Sequence, residues 1–146
     1  ELIIALERMY GLIGYGERNR NADSIPSIKN NRLHDVILFI EGNYMNDLSL
    51  ADISDAAGIN HTTLTRLIKQ ETGYTAMEYL YSYRVKVAKK HLAFTELPIK
   101  DIASRCGFKT VQHFGRVFLK YADATPAEFR RKSVQERKAD ARREHG

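Results

Sequence analysis

The chain has one cysteine, Cys106, in 146 residues. An intrachain disulfide is therefore excluded, and this usage fits a reducing compartment such as the cytosol. No apolar run approaches the roughly 18 residues a membrane-spanning helix needs, and no signal-peptide pattern opens the sequence. No histidines and cysteines fall at metal-ligand spacing, no glycine-rich loop is placed to cradle phosphate, and no acid–base residues cluster. Catalytic, cofactor-binding and metal-ligating residues are accordingly not assigned, and the reading is not that of an enzyme. Alternating strand patterns and hairpin signals are missing from Arg32 onward, so the expected fold class is all-α.

What remains is a globular composition, 43% hydrophobic and 28% charged. The net charge is +5 and the isoelectric point about 9.4. That balance suits a polyanionic partner, either nucleic acid or an anionic membrane surface, without choosing between them. Residues 1–16 begin as an amphipathic helix, with Leu2, Leu6, Met9 and Tyr10 at helical spacing, broken by Gly11, Gly14 and Gly16. The chain opens on Glu1 rather than methionine and reads as a piece of something longer. The first helix is then either packed on the rest of the chain or the last helix of an upstream domain that dimerises. Residues 17–30 are polar, contain Pro26 and read as a linker. From Arg32, the residues Leu33, Val36, Ile37 and Ile40 form one apolar stripe that Gly42 and Asn43 close.

Two stretches share one plan. "DISDAAGINHTTLTRLI" runs from Asp52 to Ile68, and "DIASRCGFKTVQHFGRVF" from Asp101 to Phe118. Leu50, Asp52, Ile53 and Gly58 align with Ile99, Asp101, Ile102 and Gly107, and Ile59 with Phe108. After one inserted residue, Leu64, Arg66 and Ile68 align with Phe114, Arg116 and Phe118. Thr75, Glu78 and Tyr79 then align with Thr125, Glu128 and Phe129. A period of roughly fifty residues implies one supersecondary unit used twice. Ser54 and Ala103 are small where two helices must approach. Gly58 and Gly107 sit where a helix ends and the chain turns with positive φ. Ile59 and Phe108 plug the turn, and Asn60 and Thr110 can cap the helix after it. Leu64, Leu67 and Ile68, and in the second unit Phe114, Val117 and Phe118, form the buried face. Each unit is thus a helix-turn-helix, the first over about 49–73 and the second over about 99–122.

"TAME" from Thr75 and "TPAE" from Thr125 are capping boxes, and "SLAD" from Ser49 is a weaker version. Pro126 suits the first position of a helix. Between the units one helix is expected over about 76–97, stopped by Pro98. Its 22 residues would span roughly 33 Å, close to the roughly 34 Å of one turn of B-DNA. Tyr79, Leu80, Tyr83, Val87 and Leu92 would pack on both units, and Arg84, Lys86, Lys89 and Lys90 would supply basic surface. Residues 133–146 form a mixed, mostly basic tail expected to fray into solvent.

"RVKVAKKHL", "IKDIASRCGF", "HFGRVFLKY" and "TPAEFR" occur in that order, and together they resemble the signature of the AraC/XylS family of bacterial transcription regulators. "LSLADISDAAGINHTTLTRLIKQETG" is similar to that family's first helix-turn-helix. The resemblance covers about Arg32 to Lys132. It implies a seven-helix, homeodomain-like DNA-binding domain over residues 31–132, with two helix-turn-helix subdomains joined by a linker helix. It also implies asymmetric promoter sites and activation of transcription through contacts with RNA polymerase. The sequence departs from the pattern at four places. Ser54 replaces an alanine, Ile68 an aromatic, and Asp123 a glycine before "TP". Gly115 lies inside the second recognition helix, where it costs up to about 1 kcal/mol against alanine but lets the backbone come near phosphate.

In a recognition helix the N-terminal residues and the face away from the core meet the groove. In the first unit these are His61, Thr62, Thr65, Arg66 and Lys69. In the second they are Val111, Gln112, His113 and Arg116, with Thr110 at the cap. Arg66 can donate two bonds to guanine, Gln112 can pair with adenine, and Thr62, Thr65 and Val111 can meet thymine methyls. Lys109, Lys120, Arg130, Arg131 and Lys132 are candidates for phosphate. Each residue has a plainer rival. Surface charges are usually only solvated, and Arg66 or Arg116 can instead serve a structural ion pair. His61 and His113 read as neutral surface groups rather than metal ligands, and Cys106 as a core residue rather than a nucleophile.

The expected partner is double-stranded DNA, with RNA polymerase as a second partner and homodimerisation left to an absent upstream domain. A membrane is not expected, and the place of work is the cytoplasm. The alternative is a helical protein-interaction module that docks on RNA polymerase or another regulator without reading DNA.

Overall fold

The computed structural model describes residues 27–145, with side chains from Arg32 onward. The helix expected over residues 1–16 and the linker up to Pro26 lie outside the described residues. Residues 27–30, also read as linker, are already helical. Seven helices and no strand are present among the described residues: α1 (Ser27–Asn43), α2 (Leu50–Ala57), α3 (His61–Thr72), α4 (Ala76–Phe94), α5 (Ile99–Arg105), α6 (Val111–Ala122) and α7 (Pro126–Glu144).

Two hydrophobic cores form, one per unit. The first gathers Leu33, Val36, Ile37 and Ile40 of α1, Ile53 of α2, Leu64 and Ile68 of α3, and Ala76 and Leu80 from the start of α4. The second gathers Tyr83, Val85, Val87, Ala88 and Leu92 from the rest of α4 with Ile102, Ala103, Cys106, Phe108, Phe114 and Phe118. Full burial of each large side chain contributes about 1.5–3 kcal/mol. Each unit is a helix-turn-helix backed by an outer helix, α1 for the first and α7 for the second, and α4 packs against both. The stripe from Leu33 to Ile40 and the apolar positions of α4 fall where the periodicity puts them. Leu67 and Val117, expected in the buried face, are only partly covered.

The turns repeat bond for bond. In the first, the Gly58 and Ile59 amides donate to the Asp55 and Ser54 carbonyls at 3.2 Å. In the second, the Gly107 and Phe108 amides donate to Ser104 and Ala103 at 3.1 and 3.0 Å. This double bond closes a helix through a left-handed residue, here Gly58 at φ 67° and Gly107 at φ 90°. Asn60 Oδ1 then accepts from the Thr63 amide at 2.8 Å, and Thr110 Oγ1 from the His113 amide at 3.0 Å. Ser54 and Ala103 are both buried at the helix crossing.

Four expectations need correction. Ser49–Asp52 is a full reciprocal capping box, as is Thr125–Glu128, whereas for Thr75–Glu78 it is the bond from the Glu78 amide to Thr75 Oγ1 that holds the helix start. The linker helix ends at Phe94, not Leu97. Thr95 turns extended, and both its amide and its hydroxyl bond to the His91 carbonyl. At 19 residues the helix is about 28 Å long, shorter than the sequence suggested. The tail does not fray but continues α7 to Glu144. Finally, Arg84 is not basic surface but is buried, 5% exposed. Burial pushes its guanidinium below its ordinary pKa.

Candidate nucleic-acid interface

The recognition helices α3 and α6 are each 12 residues long and strongly amphipathic. On α3 the buried residues are Leu64 and Ile68. The wheel therefore turns His61, Thr62, Thr65, Arg66 and Lys69 outward, and all five are exposed. Together they form one continuous open face of the helix. That face carries one forked cation, one ammonium, two hydroxyls and an imidazole, and the free amides at the helix N-terminus favour anions.

On α6 the buried residues are Phe114 and Phe118, and Val111, Gln112, Arg116 and Lys120 are exposed. Neither Arg66 nor Arg116 has an ion-pair partner among the described residues, so the structural rival has no support there. The remaining candidates of this unit differ. Lys109 is exposed but pairs with Asp47 at 3.0 Å, and such a pair in water is worth at most about 1 kcal/mol. Thr110 holds the helix N-terminus. Lys120 lies over its neighbour's ring, Tyr121, at 5.6 Å. His113 is not a free surface group. Its ring is half-buried and meets Tyr81 and Phe108 edge-on, each at 5.6 Å between centroids.

Arg130, read as a phosphate candidate, is committed elsewhere. Its guanidinium donates to the Leu92 and Thr95 carbonyls, each at 3.2 Å, and so closes the C-terminal end of α4. Arg131 and Lys132 remain exposed. Leu119, not among the candidates, is also 48% exposed. It continues the line Val111, Gly115, Leu119 at four-residue spacing along the outer face of α6. A side chain at Gly115 would meet nothing within 4 Å, so the fold itself does not require glycine there.

Among the described residues no group of histidine, cysteine or acidic side chains can hold a metal ion. No helix of the described residues is long and apolar enough to cross a membrane. His91 keeps a buried Nδ1 without a partner. Burial, helped by Arg105, lowers its pKa.

Comparison with known proteins agrees with this geometry. A family described as "Helix-turn-helix domain" matches residues 53–132. The multiple antibiotic resistance protein MarA of Escherichia coli (strain K12) is 31% identical over 116 residues, which are 80% of this chain and 87% of MarA. The HTH-type transcriptional activator RhaS of Enterobacter sp. (strain 638) is 31% identical over 113 residues, and the match spans 76% of this chain but 41% of RhaS. A solved transcriptional regulator from Chromobacterium violaceum, described among AraC-type DNA-binding domain-containing proteins, is 29% identical. It matches with a TM-score of 0.68 over 73% of this chain and 95% of that one. With its paired turns and outward recognition helices, the chain belongs to the AraC-type helix-turn-helix family, as a DNA-binding domain of the kind found in transcription regulators.

Proposed function

We propose that α3 and α6 enter successive major grooves on one face of a promoter duplex and read it through Arg66 and Arg116. The observation that carries this reading is the equivalence of those two arginines. They occupy the same place in the repeat, both are exposed, and neither is held by a carboxylate among the described residues. Thr62, Thr65 and Lys69 on one helix, and Val111 and Gln112 on the other, complete the base-reading and phosphate-facing sets. His61 and Thr110 lie at the helix starts, where phosphate meets free backbone amides. Lys109 and Lys120 add charge at the edges of the second helix. His113 acts from behind, as a ring that supports the start of α6.

The same reading makes the chain part of an activator that touches RNA polymerase in the cytoplasm, supported by the description of RhaS as a transcriptional activator. Homodimerisation would belong to residues outside those described.

Selection of bound duplexes from a random pool tests this reading. The expected consensus has two boxes about one helical turn apart, bound in the nanomolar range and more weakly as salt rises. Arg66→Ala should relax base choice in one box only and cost about 1–3 kcal/mol. A chain that retains no duplex even at low salt would instead be the protein-docking module.

A further inference from the structure

The two cores change hands within one turn of α4, between Leu80 and Tyr83. Arg84 sits at that seam. Its Nε donates to the Tyr44 carbonyl and its Nη2 to the Asn46 carbonyl, both at 2.7 Å. Its Cζ lies 5.7 Å from the centre of the Tyr81 ring and 5.6 Å from that of Phe108. Tyr44 and Asn46 belong to the loop between α1 and α2, in the first unit. Phe108 belongs to the turn of the second.

Three further contacts cross at the same place. A side chain at Gly107 would strike the Tyr44 carbonyl oxygen and come within 3.0 Å of the Arg84 guanidinium. Tyr44 stands edge-on to Tyr83 at 5.3 Å between centroids and is the residue that packs against both cores. Lys109, the residue by which the second turn exceeds the first, reaches Asp47.

A buried guanidinium is a costly way to fill space, since an aliphatic side chain would pack the seam without desolvating a charge. What the guanidinium supplies is direction. Its rigid fork bonds two carbonyls of a loop that no helix holds, and its faces lie on two aromatic rings. The loop of one unit is thereby fixed to the turn of the other, and each recognition helix begins three or four residues after its turn glycine.

We infer that Arg84 is a positioning residue that sets the separation and angle of the two recognition helices, and with them the spacing between boxes that the domain accepts. This rests on the reading that both helices engage one duplex. Two modules joined in a fixed geometry gain from simultaneous engagement only where the geometry matches the site. Arg84 therefore acts on which pairs of boxes are bound, not on how either box is read.

Two measurements on the full chain test this. Nitroxide labels at Thr62→Cys and Gln112→Cys, with buried Cys106 left in place, report the distance between recognition helices in the free protein. The unaltered junction should give one narrow distance, and Arg84→Met, which keeps a long apolar stem without the fork, a broad or shifted one. In parallel, the selected two-box duplex is bound with base pairs added to or removed from its spacer. One altered base pair should cost about tenfold with Arg84, whereas Arg84→Met should bind all spacers within about threefold of one another. Single-box duplexes should bind both proteins alike.

Arg84→Lys, which keeps charge and stem but replaces the rigid planar fork with a freely rotating ammonium, serves if the methionine variant does not fold. A folded variant with the narrow distance and the original spacer profile would overturn the inference. Failure of the unaltered chain to bind any duplex would instead undo the DNA reading, and the label distances would still decide whether Arg84 ties the units.

Discussion

The first helix-turn-helix unit is aliphatic and the second is aromatic. Ile53, Leu64 and Ile68 fill the one, and Phe108, Phe114 and Phe118 the other. The turn bonds match, and a side-chain oxygen caps the recognition helix in both, yet the surroundings of those turns differ. Gly58 faces open space, while Gly107 is pressed against the Tyr44 carbonyl and Arg84. Phe108 joins a run of ring contacts that extends through Phe114 and Phe118 to Phe129 of α7. His61 stands clear of the fold and His113 leans on two rings. The same turn geometry thus stands in open surroundings in the first unit and in close contact with the other unit in the second.

Replacing the two turn glycines breaks this comparison most sharply. Gly58→Ala meets only the left-handed backbone penalty, about 1–2 kcal/mol. Gly107→Ala meets that penalty and also the clash with Tyr44 and Arg84, for a total of about 3 kcal/mol or more. Urea unfolding followed by far-UV circular dichroism measures both. Equal losses would mean that the second turn is no more constrained than the first.

Much of this was legible because the relevant signals are local. Leu64 and Phe114, Gly58 and Gly107, and Asn60 and Thr110 each sit at positions whose chemistry fixes their role whatever lies nearby. The long cations were misread because their stems suit either side of a helix. Arg84 lies four residues after Leu80 and four before Ala88, squarely on the buried stripe, so its place was written in the periodicity and overruled by its charge. Arg130 gave no such signal. Its partners are carbonyls of a helix end some 35 residues earlier in sequence, and that end itself falls three residues short of Leu97 through the Thr95 hydroxyl. The helicity of the tail was equally hidden. Beyond Val134 the sequence shows no apolar stripe, and the helix is carried by its capping box and by packing of its first turns on α4.

A smaller effect separates the outer faces of the two recognition helices. α3 has no glycine within it, while α6 has Gly115 with open space where a side chain would stand. Gly115→Ala should stabilise the free chain by up to about 1 kcal/mol. If the bare backbone lets the duplex come close, the same change should weaken DNA binding. Thermal melts and duplex titrations then move in opposite directions. A gain in stability with unaltered affinity would show that Gly115 makes no room for DNA.

The smallest expected effect lies at the ends of the recognition helices. Gly73 caps α3 at φ 78° with its amide donating to Lys69, and Asp123 caps α6 at φ 55° with its amide donating to Leu119. The bonds are equivalent, but Asp123 is the one non-glycine residue with positive φ among the described residues. Two costs attach to it. The left-handed conformation disfavours a side chain, and a carboxylate at a helix C-terminus faces the negative end of the helix dipole, at about 0.3–1 kcal/mol. Asp123→Gly removes both costs but makes the unfolded chain more flexible, which returns about 0.4–1 kcal/mol. The net gain should be about 0.5–1 kcal/mol. Asp123→Asn separates the two causes, because asparagine keeps the tolerance for left-handed backbone and loses the charge. If the asparagine variant captures the whole gain at low salt and little of it at high salt, the dipole was the larger cost. If only the glycine variant gains, the backbone was. No gain in either would mean that Asp123 is held by an interaction strong enough to offset both penalties, and the equivalence of the two helix ends would then be one of geometry but not of energy.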